Sequence, residues 1–303
     1  MKSGFIAILG KPNVGKSSLV NAIVGQKVSI VSPKAQTTRD RQMGILTTDK
    51  YQMVLVDTPG IHEAKNALGL YMKKAISSAS SDMDAIVLMF DATLQLREAE
   101  KTLLEKYLKG DAPVYVVFNK VDLTGFERVY PLLEKLSVYM SAKEDRQAIK
   151  EVIPLSSKTG QNVDKLVKLL ERELKNGDLY YPEDEVTDKS VRYMICEIVR
   201  EKALLFLQDE IPHGIGVFIQ SMEDKEKLAH IEADIVCERD THKQIIIGEN
   251  GQMLKQIGER ARVDIEKLLV KKVYLKLFVK VRKDWRNRKN IMDDIGYNAK
   301  DNL

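Results

Sequence analysis

The sequence of 303 residues has little cysteine and no unbroken apolar run of membrane length. Its two cysteines, Cys196 and Cys237, form neither a Cys-x-x-Cys pair nor a cluster with histidine. This spacing argues against a disulfide framework and against a zinc site, so we expect two reduced, structural thiols. Because no segment resembles a signal peptide either, the sequence predicts a cytoplasmic protein.

A strong excess of one charge is also missing. The formal net charge is +4, with 44% hydrophobic and 30% charged residues, which is typical of a globular protein. Such a small excess does not imply nucleic-acid binding, so the local distribution of charge has to decide that question. The length is sufficient for two domains that each bury a core.

A phosphate-binding motif lies near the start of the chain. Residues 10–17 fit the pattern Gly-x-x-x-x-Gly-Lys-Ser, between an apolar run at 5–9 and a segment at 18–24 that can form a helix. Backbone N–H groups of such a loop and the positive end of the following helix attract phosphate. The alternative for this pattern alone is a chance glycine-rich turn. The predicted nucleotide contacts are Gly10, Lys11, Pro12, Asn13, Val14, Gly15, Lys16, Ser17 and Ser18.

Two later segments are predicted to sense the γ-phosphate. In the polar stretch 33–41 we expect the hydroxyl of Thr38, with Thr37 as the competitor, to join Ser17 in binding Mg²⁺. Asp57 ends a strand-like run at 51–56 and would hold the same ion through a water molecule. The Gly60 N–H would contact the γ-phosphate, which makes residues 60 to about 69 a second switch segment. The predicted nucleotide contacts in this segment are Asp57, Thr58, Pro59, Gly60 and Ile61. The predicted catalytic residues named so far are Lys16, Thr38 and Gly60.

The base is predicted to be guanine. The apolar run 114–118 leads into Asn119, Lys120, Val121 and Asp122. A carboxylate at Asp122 accepts two hydrogen bonds from guanine, whereas adenine has no matching donors, so the site discriminates between them. Lys120 would lie over the ring, and the Asn119 amide would bond back to the phosphate loop. After another apolar run come Ser156, Ser157 and Lys158, whose backbone N–H groups are predicted to contact guanine O6.

Strands alternating with helices predict a doubly wound, mostly parallel α/β sheet. With the five motifs in order, residues 1–175 resemble the Ras-like GTPase superfamily. One departure is Ile61, at the position where the Ras branch has a glutamine that orients the attacking water. The resemblance therefore implies slow intrinsic turnover, on the order of 10⁻⁴ to 10⁻² s⁻¹. Bacterial GTPases with this version of the loop use K⁺ held partly by the asparagine, so Asn13 is a candidate K⁺ ligand and catalytic residue.

A second, smaller α+β domain is predicted for residues 187–303, after a linker at 176–186 rich in turn residues and acids. Helical spacing begins at Val191, strand-like runs follow at 215–219 and 231–236, and a Gly-x-x-Gly loop is expected between two short helices. This pattern resembles a type II KH domain, in which such a loop lets single-stranded RNA approach closely. A plain turn is the alternative. The predicted RNA contacts here are Ile247, Gly248, Glu249, Asn250, Gly251, Gln252 and Lys255.

A basic run follows the loop. Residues 271–289 contain nine basic residues against the single acid Asp284, and the strand inside the run alternates apolar with polar or aromatic residues. A solvated charged face is the alternative, but beside a Gly-x-x-Gly loop RNA contact is favoured. The predicted contacts in this run are Lys280, Arg282, Lys283, Trp285 and Arg286.

The strings at 279–287 and 295–297 make nearly the whole chain resemble the Era family of bacterial GTPases. That resemblance implies a monomer that binds GTP or GDP, Mg²⁺ and the 3′ end of 16S rRNA and that acts in maturation of the small (30S) ribosomal subunit. It also implies peripheral contact with the cytoplasmic face of the plasma membrane. Two other functions stay open: an RNA-binding assembly factor in which GTP is mainly structural, and a GTPase of tRNA modification. The latter is disfavoured because no catalytic cysteine or cofactor domain is visible.

Overall fold

The computed structural model describes every residue except 35, 62–65, 79–81, 142–148, 209–210 and 298–303, and it leaves out the side chain of Ser78. Contacts between Cα atoms divide the chain into two compact units. The first comprises Met1–Ser29, Thr38–His62 and Ala75–Asp188, and the second comprises Ile30–Thr37, Glu63–Lys74 and Lys189–Leu303. The predicted domain limits, 1–175, 176–186 and 187–303, stay a prediction.

The first unit is built on a mostly parallel sheet. The strand order is β2-β3-β1-β4-β5-β6, with β7 beside β1; β2 and β7 are antiparallel to their neighbours and the other pairs are parallel. The prediction of a doubly wound α/β sheet is confirmed. The elements, with α2 divided between the units, are β1 Lys2–Gly10, α1 Lys16–Val24, β2 Gln42–Thr47, β3 Tyr51–Asp57, α2 Ala67–Ser78, β4 Ala85–Asp91, α3 Glu98–Leu108, β5 Val114–Asn119, α4 Val121–Thr124, α5 Tyr130–Ser141, β6 Ile149–Pro154, α6 Val163–Leu170 and β7 Lys175–Asn176.

Strand β1 explains where the site lies. Its residues alternate between two apolar clusters: Ile6 and Ile8 pack with α1 and α6, while Ala7 and Leu9 pack with α3 and α5. Continuous apolar sequence is what a strand covered by helices on both faces requires. Because β1 lies between β3 and β4, its carboxyl end is a point where the strand order reverses, and such points are where open α/β sheets bind ligands.

The predicted linker is anchored to the first unit. The amide oxygen of Gln52 accepts the N–H groups of Tyr180 (2.9 Å) and Tyr181 (3.0 Å), and its amide nitrogen donates to the Tyr181 carbonyl (2.9 Å). Farther along, the Ile45 N–H donates to the Val186 carbonyl at 2.9 Å. These residues therefore form an ordered segment along β2 and β3.

The second unit contains a three-stranded sheet of order β10-β9-β8, in which β9 is parallel to β10 and antiparallel to β8. Helices α7, α8 and α9 share one apolar cluster with the inner face of this sheet. The elements are α7 Val191–Phe206, β8 Gly216–Asp224, β9 Leu228–Cys237, α8 Asp240–Ile247, α9 Gln252–Leu269, β10 Lys272–Val281 and α10 Lys289–Asp294. The helix after the Gly-x-x-Gly loop has 18 residues, so the expectation of two short helices is wrong for α9.

Both cysteines are free thiols in the structure. Burial raises the pKa of Cys196 to about 12 and that of Cys237 to about 11, so both stay protonated at neutral pH. Within the described part of the chain, every helix is too short or too polar to span a bilayer.

Candidate functional site

Lys16 is the first residue of α1 and is almost fully buried. Its ammonium donates to the carbonyls of Gly10 (3.2 Å) and Lys11 (3.0 Å). Burial lowers the pKa of Lys16 to about 8, and the negative charge of Asp57 acts against this shift. A cation buried against neutral carbonyls is poorly compensated, so the loop is suited to receive an anion.

Gly15 allows the phosphate loop to close against the base motif. Its φ is 100°, and a Cβ atom there would lie 2.2 Å from Asn119 Nδ2, so only glycine fits. Asn119 Nδ2 donates to the Val14 carbonyl at 2.7 Å and to Ser157 Oγ at 3.0 Å. The expected link from Asn119 back to the phosphate loop is therefore present.

The two hydroxyls predicted to hold Mg²⁺ lie together. Ser17 Oγ and Thr38 Oγ1 are 2.8 Å apart. The competing hydroxyl, on Thr37, instead donates to the Lys34 carbonyl at 2.7 Å and lies 3.0 Å from Ser32 Oγ. The geometry therefore favours Thr38 over Thr37.

Asp57 completes the predicted metal-binding set. It is fully buried, and neither of its carboxylate oxygens has a hydrogen-bond partner among the described residues. Burial raises its pKa, and the charge of Lys16 and the nearby hydroxyls of Ser17 and Ser29 act against that shift. A buried carboxylate without partners is costly unless a cation compensates it, so this donor set fits Mg²⁺.

The start of the predicted second switch segment contacts the phosphate loop. The Ile61 N–H donates to the Gly10 carbonyl at 3.2 Å, and the buried hydroxyl of Thr58 donates to the Ile8 carbonyl at 2.9 Å. The Ile61 side chain packs against the apolar cluster of α3 and α5, so it has a structural role. Residues 62–65 of the predicted switch segment lie outside the described residues.

The base motif is held by Ser156, which the sequence analysis named, and by Asp91, which it did not. Lys120 forms an ion pair with Asp91 at 2.6 Å, and Asp122 Oδ1 accepts the Ser156 hydroxyl at 2.6 Å. Asp91 is the last residue of β4. Acidic residues at the carboxyl ends of strands are candidates for ligand binding, so the same rule that identified Asp57 could have identified Asp91. The Ser157 N–H donates to Asn119 Oδ1 at 2.9 Å, so its predicted contact with guanine O6 requires that bond to be exchanged.

The Ser156 N–H is also engaged, because it donates to the Gln161 carbonyl at 3.0 Å. Its hydroxyl, rather than its N–H, thus connects this loop to the carboxylate of Asp122, which is predicted to select guanine. Of the three residues predicted to reach guanine O6, two therefore use their N–H groups within the protein in this structure.

The Gly-x-x-Gly loop joins α8 to α9. Gly248 and Gly251 have φ values of 74° and 77°, and Asn250 between them has φ 49°, so the backbone turns sharply at three of four positions. A groove of about 360 Å³ runs from the loop along α9 and β10. Its lining includes Gly251, Leu254, Lys255, Gly258, Leu275 and Leu277.

Several side chains of the basic run are already paired with carboxylates, so fewer of them are available to bind RNA than the composition indicates. Lys280 pairs with the buried Asp234 at 2.7 Å, Arg286 with Glu238 through Nε at 3.0 Å, and Arg282 with Asp294 at 3.4 Å. Lys283 is exposed and has no ion-pair partner among the residues that the structure describes.

The expectation that Trp285 contacts RNA does not fit the structure. Trp285 is fully buried, and its indole N–H donates to the Gly214 carbonyl at 2.9 Å. Its ring stacks on Tyr297, with 6.1 Å between centroids, and Tyr71 of α2 meets Tyr297 edge-on at 5.9 Å. Trp285 therefore belongs to the core of the second unit. The basic residues around Trp285 in the sequence did not indicate that it is buried, because Gly214 and Tyr71, which help to form this cluster, are distant in sequence.

Two protein-family models match parts of this chain. Residues 5–120 match the family described as "50S ribosome-binding GTPase", and residues 210–286 match the KH domain family. GTPase Era of Clostridium botulinum strain Alaska E43 is 47% identical over 300 residues, covering 99% of each chain. GTPase Era of Clostridium beijerinckii is 46% identical over 299 residues, covering 98% of each.

The chain belongs to the Era family of GTPases. Solved structures agree with this assignment. A crystal structure of Era in complex with MgGDPNP and nucleotides 1506–1542 of 16S ribosomal RNA superimposes with a TM-score of 0.92 at 39% identity, covering 98% of this chain and 99% of that one. A variant of Aquifex aeolicus Era bound to GDP·AlF₄⁻ gives the same TM-score and identity, covering 98% and 100%. As an Era-family member, this chain is a GTPase followed by a KH domain.

Proposed function

We propose that this GTPase binds the 3′ end of 16S rRNA through its KH domain under the control of GTP, and that it assists maturation of the small ribosomal subunit. The proposal rests on two features that occur in the same chain. One is a nucleotide site in which the buried Lys16 donates to carbonyls and the buried Asp57 lacks a hydrogen-bond partner among the described residues; the other is a Gly-x-x-Gly groove. It is further supported by the 39% identical Era whose crystal structure holds MgGDPNP together with 16S rRNA nucleotides.

In hydrolysis, Ser17, Thr38 and Asp57 hold Mg²⁺, and Lys16 reaches the β- and γ-phosphates. The bound metal neutralises charge that develops on these phosphates. Charge stabilisation of this kind, together with positioning, provides most of the catalysis in phosphoryl transfer. Asp122 selects guanine, while Lys120, held by Asp91, covers the ring.

Turnover is slow because Ile61 packs into the apolar cluster and offers no polar group to the attacking water. Asn13 is exposed at a left-handed position (φ 63°) in the phosphate loop, where it is a candidate ligand for K⁺. Hydrolysis measured in Na⁺ and in K⁺ buffers tests this role. Equal rates would remove Asn13 from the catalytic set.

The groove beside the Gly-x-x-Gly loop accommodates about four nucleotides in KH domains. Its walls carry leucines for base contact. The loop glycines Gly248 and Gly251 allow a phosphate backbone to approach. We retain Ile247, Gly248, Glu249, Asn250, Gly251, Gln252, Lys255 and Lys283 as proposed RNA contacts, with Lys280, Arg282 and Arg286 as contacts that must first exchange their carboxylate partners.

The deciding experiment measures the affinity of the full chain for an RNA with the sequence of the 16S 3′ end. The measurement is made with GDP and with a non-hydrolysable GTP analogue. A switch requires different affinities in the two states, since a ligand shifts an equilibrium only by its differential affinity. Equal affinities would instead favour an assembly factor in which GTP is mainly structural. In that case Lys16→Ala would also leave RNA binding intact. Peripheral membrane contact stays a prediction, which sedimentation with vesicles of anionic lipid tests.

A further inference from the structure

The segment Ile30–Thr37, which leads into Thr38, is held at both ends by two consecutive residues of α7. Near its start, the Val31 N–H donates to Glu201 Oε1 at 2.9 Å. At its end, the Arg200 guanidinium donates through Nη2 to the carbonyl of Thr37. All of these residues belong to the second unit, and Thr37 is covalently joined to the predicted Mg²⁺ ligand.

Arg200 is an unusual residue to find in a core. Its side chain is 1% exposed, and its Nε donates to Glu197 Oε1 at 2.7 Å, with a second bond from Nη2 to the same carboxylate. Burial is the largest influence and acts to lower the pKa of Arg200, but the charge and hydrogen bond of Glu197 together with nearby Tyr297 and Tyr193 outweigh it, so the net pKa lies above its ordinary value. The side chain therefore stays charged.

Stability alone does not account for this ion pair. Arg200 Nη1 is buried without a hydrogen-bond partner in the described part of the chain, and an unsatisfied buried donor is destabilising. Apolar residues of similar volume commonly serve a core as well as a buried ion pair does. The feature that apolar residues could not reproduce is the bond to the Thr37 carbonyl.

We propose that Arg200 is a positioning residue for GTP hydrolysis, which acts by fixing the peptide between Thr37 and Thr38. A peptide unit is planar, so anchoring the carbonyl oxygen of Thr37 also fixes the N–H of Thr38 and limits the direction of its side chain. In the structure the Thr38 hydroxyl then lies 2.8 Å from Ser17 Oγ. The proposal rests on the proposed role of Thr38 at Mg²⁺.

If Arg200 acts in this way, its loss affects only the nucleotide state that uses Thr38. We expect kcat to fall about tenfold, the effect of losing one charge-assisted hydrogen bond. Affinity for a non-hydrolysable GTP analogue should fall by a similar factor. Affinity for GDP, which lacks the γ-phosphate, should stay within about twofold of the original. A residue that only supports the fold would lower both affinities together.

The test uses the full chain with the double variant Glu197→Gln/Arg200→Met, which removes both charges and so leaves neither one buried alone. Arg200→Lys keeps a donor and should recover part of kcat. Arg192→Met is the matched control, because Arg192 lies on the same helix with its guanidinium exposed and bonded to the Ile219 carbonyl at 3.3 Å. The midpoint of thermal unfolding is recorded for each variant.

Combination with Thr38→Ala gives the decisive readout. If Arg200 acts through Thr38, adding the double variant to Thr38→Ala should cause no further loss of kcat, because effects on one pathway are not additive. Three results would overturn the role of Arg200 and leave the proposed function intact. They are losses of kcat that multiply when the variants are combined, an unchanged kcat in a folded double variant, and an equal loss of kcat in Arg192→Met. Wild-type activity of Thr38→Ala alone would overturn both.

Discussion

The phosphate loop and the basic run of the KH domain are both rich in charge, but they differ in how that charge is compensated. At the phosphate loop, Lys16 is buried against carbonyls and the Asp57 oxygens lack partners among the described residues. In the KH domain, Lys280 and Arg286 already have carboxylate partners. Composition alone makes the second region look like the stronger anion site.

A count of basic residues therefore does not measure how readily a region binds phosphate. A buried, uncompensated group gains its full interaction energy when a ligand arrives. A lysine that is already paired, as Lys280 is with the buried Asp234, must give up its carboxylate before it binds a phosphate, which leaves a small net gain. We therefore expect substitutions at the phosphate loop to have large effects and substitutions in the basic run to have small ones.

Lys16→Ala should have the largest effect. Removal of this cation takes away a donor aimed at developing negative charge, so kcat/KM for GTP should fall by about 10²- to 10³-fold. The measurement is steady-state phosphate release. Lys165→Ala is the control, since Lys165 is exposed and pairs with Glu151 at 3.5 Å on the surface. A loss below about tenfold for Lys16→Ala would remove the contrast between the two regions.

Asp122→Asn should change the base that the site selects. An amide in place of the carboxylate offers a donor where guanine also presents one, so affinity for GDP should fall by about tenfold to a hundredfold. Xanthosine diphosphate, which has an acceptor at that position, should bind better than GDP to the variant. Competition between the two nucleotides, followed by fluorescence of a labelled analogue, measures this preference. Unchanged selectivity would show that Asp122 does not read the base.

Nucleotide affinity should depend on pH above about 8. The pKa of Lys16 is lowered to about 8, so the side chain loses its charge as the pH rises through that value. Phosphate binds the charged form and raises the pKa in the complex, so affinity is retained below pH 8. It should then fall by up to about tenfold per pH unit above 8. Calorimetric titrations with GDP between pH 7 and 9, which also report proton uptake, check this. Equal affinity at both ends would contradict the shift.

The smallest effects are expected in the basic run. Lys283→Ala should reduce RNA affinity a few-fold and lower the slope of log affinity against log salt by about 0.7, as expected for one lost phosphate contact with a single strand. Lys280→Ala should change that slope less, because Lys280 is already paired with Asp234. Salt titrations of both variants with the same RNA compare them. A larger effect for Lys280 would mean that its ion pair opens readily for RNA.

The motifs of the nucleotide site could be predicted because each is a short pattern with fixed geometry. Glycine at position 15, lysine at 16 and aspartate at 57 follow from the way a loop and a strand end hold phosphate and metal. The sequence favoured Thr38 but left Thr37 as a competitor, because the choice depends on which hydroxyl is taken up by neighbouring loop atoms.

Long-range packing limited the rest of the prediction. Arg200 lies 163 positions from the Thr37 carbonyl that it contacts, and no spacing rule connects them. The indole of Trp285 bonds to Gly214, 71 positions away, and Tyr297, which stacks on Trp285, also meets the distant Tyr71. The alternating faces of β10 were predicted correctly, because a period of two is a local property of a strand. The pairing of its lysines with β9 carboxylates was not.

The segment that follows β7 also covers part of the edge strand β2. β2 is the outermost strand of the sheet, and exposed edges of this kind recruit other chains into aggregates. Here the Val186 carbonyl occupies the Ile45 N–H, and the Asp188 carboxylate accepts the Met43 N–H at 2.7 Å. This stretch therefore also covers hydrogen-bonding groups of the edge strand β2, which hinders pairing with another chain. A GTPase fragment cut after Leu174 should self-associate, whereas one cut after Asp188 should stay dispersed.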